Sequence, residues 1–260
     1  MFKRKRLRAP ETGMATKAAV LCGGEGTRLR PLSNYFQKTM VPIGTRRRPL
    51  LEYIVRLLGY NGIKDITLLT GYRAEDIRTY FGDGGRFGVR IGYSRDPEGK
   101  SGSAMALVNA LDGGMLEGFD NLVVYYGDVL TTLDLRGLVA QHEGRRSAVT
   151  LVLSRDFKAP VGIARVEGEK VVSFAEKPVL PLNVTVGALV ISKECVGLLH
   201  EAVSGRDAPD IMTHFVPKVL ERGMLVSPFY IEGFWYDVGT TEAYEKLDGE
   251  LVEKNLKFLD

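Results

Sequence analysis

The chain has 260 residues, 45% of them hydrophobic and 26% charged, with a formal net charge of +3 at pH 7. That length buries one sizeable core, and the composition is that of an ordinary globular protein. The charge is too balanced for nucleic-acid binding to be the main activity, and no run approaches the roughly 18 apolar residues of a transmembrane helix, so neither a nucleic acid nor a membrane is expected as partner.

In chain order, the head Lys3-Arg4-Lys5-Arg6-Leu7-Arg8 reads as part of a solvated basic tail, residues 1–16, expected to be disordered. No apolar stretch follows it, so it is not a secretory signal. Residues 18–22 predict a strand. A glycine-rich loop follows, Cys22-Gly23-Gly24-Glu25-Gly26-Thr27-Arg28-Leu29-Arg30-Pro31-Leu32-Ser33, with Lys38 shortly after. Glycines let backbone N–H groups approach an anion, and such a nest binds phosphate oxygens. Arg28 adds a fork matched to phosphate and Lys38 a mobile point charge, so the loop reads as a triphosphate cradle. Two commoner phosphate motifs are excluded. A dinucleotide fingerprint starting at Gly24 would need glycine where Leu29 stands, and a Walker A loop ending at Gly99-Lys100-Ser101 would need glycine where Ser94 stands.

Residues 50–60 carry apolar side chains at helical spacing and end at Asn61-Gly62. Strands are predicted at 65–70, 89–94 and 121–126, with helices at 74–81 and 103–111. This alternation argues for an α/β fold: a Rossmann-like mixed, mainly parallel sheet flanked by helices. Ligands bind such sheets outside the carboxyl ends of strands, where the glycine loop and the Gly127-Asp128 turn both fall. The second half is richer in strands (148–154, 162–166, 171–174, 184–191, 225–231), with helices at 210–222 and 240–252. Cys22 and Cys195 are the only cysteines, both in apolar settings, which suits buried free thiols in a reducing cytoplasm. His142, His200 and His214 form no metal-binding cluster, and each is expected at the surface or at a helix cap.

Gly24, Gly26, Thr27, Arg28, Leu29, Pro31, Leu32 and Ser33, followed by Lys38, Val41-Pro42-Ile43 and Pro49-Leu50-Leu51-Glu52-Tyr53, closely resemble the signature of the sugar-1-phosphate nucleotidylyltransferases, the nucleotide-sugar pyrophosphorylases. The resemblance runs from about residue 17 to about residue 247 and is strongest to the glucose-1-phosphate thymidylyl- and uridylyltransferases. It implies one domain over 17–260: a nucleotide-binding part, 17–130, and a β-rich sugar-phosphate-binding part, 131–260. It implies a cytoplasmic, Mg²⁺-dependent enzyme that moves a nucleoside monophosphate from an NTP to a hexose 1-phosphate and releases pyrophosphate, and it leaves a homo-oligomer open. No hexapeptide repeats follow the last helix, so a coupled acetyltransferase is not expected.

The resemblance also distributes roles. Leu21 and Gly23 would meet base and ribose through their backbones. Gly24, Gly26, Thr27 and Arg28 would hold the leaving phosphates, and Lys38 would neutralise the α-phosphate. Gly102 and Ser103 would line the nucleotide. Asp128, and Asp237 in Trp235-Tyr236-Asp237-Val238-Gly239-Thr240, match the family's metal pair, in keeping with magnesium's preference for one or two carboxylates plus phosphates. Lys177 of Glu176-Lys177-Pro178 would hold the sugar phosphate, while Glu176 and the backbone of Gly162 would meet the sugar. Thr185 stands where the family has Asn, which removes an amide from the sugar side. Catalysis would rest on Arg28, Lys38, Asp128 and Lys177, with no general base, because the attacking phosphate is already ionised. Glucose 1-phosphate with UTP or dTTP is the favoured pair, and mannose 1-phosphate with GTP the competitor. Two readings of other kinds are weaker. A glycosyltransferase would want D-x-D where Asp128-Val129-Leu130 stands, and a non-catalytic regulatory homologue would be expected to lose charged residues that are all present.

Overall fold

A computed structural model describes residues 13–96, 101–155, 157–159 and 161–260. The expected basic head, apart from its last four residues, and the segment 97–100 before the nucleotide-lining helix lie outside the described residues. So does Pro160, beside Gly162.

Seven strands form one mixed sheet, in the spatial order Val226–Tyr230, Val149–Ser154, Val184–Ser192, Asn121–Tyr126, Thr16–Cys22, Asp65–Thr70, Arg90–Arg95. Only Val184–Ser192 runs antiparallel to its two neighbours; the other pairings are parallel. Thr16–Cys22 lies centrally, and its Ala18-Ala19-Val20 core is wholly buried, as a strand covered on both faces must be. Side chains alternate across it: Ala18 and Val20 join the cluster under helix Leu50–Tyr60, while Ala19 joins the one under Ser103–Asp112 and Val196–Val203. The predicted α/β fold is the observed one.

Several local expectations are corrected. Residues 15 and 16 do not belong to a disordered head: Thr16 pairs with Asn121, and Ala15 N–H donates to Asp120 at 2.9 Å. Strands Val149–Ser154, Val184–Ser192 and Val226–Tyr230 of the strand-rich second half extend the same sheet. What stands apart is an exposed hairpin, Ile163–Glu167 with Lys170–Ala175, and a short pair formed by Phe157–Lys158 and Val179–Leu180. The helix expected at 240–252 is two helices, Thr241–Lys246 and Gly249–Leu256, because Asp248 caps a fresh start by accepting from Glu250 N–H. The helix expected at 210–222 opens as a π-turn, Ile211–Phe215, before Val216–Glu221. A helix at Leu135–Arg145 was not anticipated. Gly137 and Gly144 blur its periodicity, although Asp134 caps it, accepting from Gly137 N–H at 3.0 Å. His142 is not at the surface: it is 1% exposed and bonded to Thr150 and Ser192. Cys22 and Cys195 are buried free thiols.

Candidate active site

A cleft of about 710 Å³ opens at the carboxyl ends of the central strands. Of the residues singled out from sequence, Leu21, Gly23, Gly24, Lys38, Gly102, Ser103 and Asp128 line it. Parallel pairing delivers this convergence. Leu21 sits opposite both Leu69 and Tyr126, so the chain leaves three neighbouring strands at one level, into the glycine loop, Gly71 and the Gly127-Asp128 turn.

The glycines are required by close approach. A Cβ on Gly26, at φ +65°, would lie 2.9 Å from Lys38 Cβ, and one on Gly127 would lie 2.6 Å from Leu21 O. The backbone can therefore fold tightly enough to bring Lys38 across to Asp128, with Nζ 2.5 Å from Oδ2. Gln37 makes this geometry firm. Fully buried, it donates from Nε2 to Cys22 O at 2.6 Å, while Oε1 accepts from Thr39 N–H and Oγ1–H, each at 2.6 Å. Gln37 ties the end of the first strand to the turn that carries Lys38. It escaped the sequence reading, because a lone Gln between Phe36 and Lys38 carries no local signal.

Asp237 comes to the same place from far along the chain. Its strand, Trp235–Asp237, pairs antiparallel with Val129–Thr131, and Val238 N–H donates to Asp128 O at 2.8 Å. Partial burial and then the facing Asp128 carboxylate push the Asp237 carboxyl up, while Lys38 and Arg28 pull it down. Arg28 is exposed on the short turn Thr27–Leu29 at the rim, and the end of that turn is pinned by Thr241, beyond Asp237 in the chain: Thr241 Oγ1 donates to Arg30 O at 3.0 Å. Two carboxylates and two cations thus share one electrostatic environment. The carboxylate pair fits a divalent cation whose remaining coordination comes from substrate oxygens, as magnesium prefers.

Ser103 is committed elsewhere. Its hydroxyl donates to Asp210 Oδ2 at 2.6 Å and accepts from Ile211 N–H at 2.9 Å, so it anchors the start of helix Ser103–Asp112. Gly102 is pinned there too: at φ +108°, an added Cβ would meet Pro209 O at 2.2 Å. The sugar-side residues lie outside the cleft lining. Gly162 and Glu176 touch each other, since a Cβ on Gly162 would be 2.8 Å from Glu176 Oε2. Lys177 is exposed, has φ +47° and adds to the lowering of the Glu242 carboxyl, which comes mainly from its hydrogen bond with Lys246. A non-glycine residue held there is strained, a frequent mark of functional positions. Thr185 is exposed at a register shift opposite Leu153.

The sequence model of the nucleotidyl transferase family matches residues 17–254. The chain belongs to that family. A UTP–glucose-1-phosphate uridylyltransferase from Synechocystis is 28% identical over 259 residues, which cover 93% of this chain and 64% of that relative. The chain therefore spans about two thirds of that protein's length. A D-glycero-α-D-manno-heptose 1-phosphate guanylyltransferase from Aneurinibacillus thermoaerophilus is 31% identical over 245 residues, covering 90% of this chain and 98% of the relative. In fold, the chain is similar to a Bacillus anthracis crystal structure assigned as a glucose-1-phosphate thymidylyltransferase and solved with sucrose: TM-score 0.69, 24% identity, 90% of this chain and 97% of that one.

Proposed function

We propose that the protein transfers a nucleoside monophosphate from an NTP to a hexose 1-phosphate, giving a nucleotide sugar and pyrophosphate. The observation that carries this is the meeting of Lys38 and Asp128, which line the cleft beside the glycine loop, with the neighbouring carboxylate of Asp237. In this reading residues 17–130 supply the nucleotide side and residues 131–260 the sugar side.

The sugar-phosphate oxygen attacks the α-phosphorus in line; a P–O bond forms as the bond to the bridging β-oxygen breaks, and pyrophosphate leaves with that electron pair. The glycine-loop amides and Arg28 hold the β- and γ-phosphates of the leaving group. Lys38 exchanges Asp128 for the α-phosphate and neutralises charge developing there. Lys177 orients the incoming sugar phosphate, and Glu176, the Gly162 backbone and Thr185 face the sugar hydroxyls. Asp128 and Asp237 would hold Mg²⁺, which would supply charge neutralisation and a template for both substrates when bound. No side chain has to take a proton. The buried free thiols support a reducing, cytoplasmic setting.

Glucose 1-phosphate with UTP or dTTP is the pair favoured by the sequence resemblance. The heptose-1-phosphate relative, aligned over 98% of its length, is named as a guanylyltransferase acting on a manno-configured sugar, and the Asp96 carboxylate in the cleft also favours GTP. The test is pyrophosphate release with Mg²⁺ over a grid of NTPs against glucose, mannose, galactose and N-acetylglucosamine 1-phosphates. Release that depends on one sugar phosphate is the expected result. No release from a folded protein that still binds nucleotide would turn the reading to a regulatory homologue.

A further inference from the structure

The cleft has two ends. Lys38 and Asp128 stand at one; Gly71, Tyr72, Arg95 and Asp96 stand at the other, where Asp65–Thr70 and Arg90–Arg95 end. The sheet order separates the Asp128 strand from the Asp96 strand by three spacings, about 14 Å at about 4.8 Å per spacing. Leu21 and Gly23 lie between. A nucleotide whose phosphates lie at Lys38 and the glycine loop therefore directs its base toward Asp96.

Asp96 is placed by the sheet. Its N–H donates to Thr70 O at 2.9 Å, and its Oδ2 lies against Gly23, where an added Cβ would come within 3.0 Å. Burial pushes the carboxyl up to about 6, opposed by a hydrogen bond from the side-chain amide of Asn109. A half-buried carboxylate that lines a ligand cleft is an acceptor that a group entering the cleft should meet.

We propose that Asp96 reads the nucleobase and selects guanine; this rests on the nucleotidyl-transfer reading above. A carboxylate only accepts. Guanine presents two adjacent donors, N1–H and the 2-amino group, along its pairing edge. Uracil and thymine present one N–H between two carbonyl oxygens, which a carboxylate repels. Adenine and cytosine set their amino group beside an unprotonated ring nitrogen, which it also repels. Selection thus combines attraction for guanine with repulsion of the other four bases.

The test is calorimetric binding of GTP, ITP, UTP, dTTP, ATP and CTP to the full chain with Mg²⁺, alongside pyrophosphate release. GTP is expected to bind tightest, and ITP, which lacks the 2-amino group, about tenfold more weakly. Asp96→Asn is expected to raise the KM for GTP roughly 10- to 100-fold with kcat nearly unchanged, because Asp96 lies far from the reacting phosphorus. UTP or dTTP binding as tightly as GTP, or ITP binding like GTP, overturns the proposal. The ITP comparison needs no variant, so a misfolded Asp96→Asn protein does not shelter it. Selective GTP binding without pyrophosphate release from any sugar phosphate would overturn the transferase reading and leave the base reading standing.

Discussion

Lys38 Nζ and Asp128 Oδ2 lie 2.5 Å apart in a partly buried ion pair, joining a loop after the first strand to a turn after the fourth strand of the central sheet in chain order. In the proposed reaction this pair would keep the carboxylate for the metal and the ammonium for the α-phosphate side by side until substrate binds. Lys38→Met is expected to lower kcat by roughly 10²- to 10³-fold, the usual consequence of removing one group that stabilises developing charge. Asp128→Asn is expected to abolish Mg²⁺-dependent release with a thermal midpoint close to that of the parent. Wild-type-like turnover in Asp128→Asn would remove Asp128 from the metal assignment.

Arg28 is exposed at the rim, so its removal spares the core. Arg28→Ala is expected to raise the KM for the NTP and lower kcat together, through loss of a charge-assisted phosphate contact. Steady-state kinetics at varied NTP and fixed sugar phosphate measure both. An effect on the sugar phosphate alone would place Arg28 on the wrong substrate.

Gln37 predicts coupling between stability and nucleotide affinity. Gln37→Leu leaves Cys22 O and Thr39 N–H without their partner, at a cost of about 1–3 kcal/mol. Denaturant unfolding should show that loss, and the loosened loop should weaken NTP binding in the same variant.

Gly102→Ala and Gly197→Ala should move stability in opposite directions. At Gly102 the added Cβ meets Pro209 O at 2.2 Å with φ at +108°, so the variant should lose at least about 2 kcal/mol. Gly197 lies in helix Val196–Val203 with nothing within 4 Å of an added Cβ, so its replacement should gain about 0.5–1 kcal/mol. Thermal unfolding of the two variants side by side checks the contrast.

His142 makes stability fall in acid. Ser192 donates its only proton to Ser147 O at 2.7 Å, so it accepts from His142 Nε2–H, and Nδ1 accepts from Thr150. The ring is neutral, and burial holds its pKa down, from 6.5 to about 4. Below pH 6.5 the unfolded chain binds a proton that the native ring refuses. Stability from this group is therefore full above pH 6.5 and declines by roughly 3 kcal/mol as pH falls to about 4. His200, raised by its bond to Asp112, works in the opposite sense: its contribution is full below 6.5 and fades as pH rises. Comparing unfolding free energies of the parent and His142→Gln between pH 7 and 4.5 isolates the buried ring, and identical slopes would refute this account.

The residue order by itself determined the alternation of strands and helices, the position of the glycine loop at a strand end, and the Gly127-Asp128 and Trp235-Tyr236-Asp237 segments as candidates. Apolar periodicity and glycine spacing are local, so they survive in one dimension. The tertiary structure decided what depends on distant partners: that Asp237 stands beside Asp128, that Gln37 braces the loop, that Ser103 belongs to Asp210, and that Asp96 lines the cleft as a half-buried carboxylate. Satisfaction of a buried polar group is a property of the packed interior. No local pattern encodes it, which is also why His142, read as a surface residue, lies sealed within the fold.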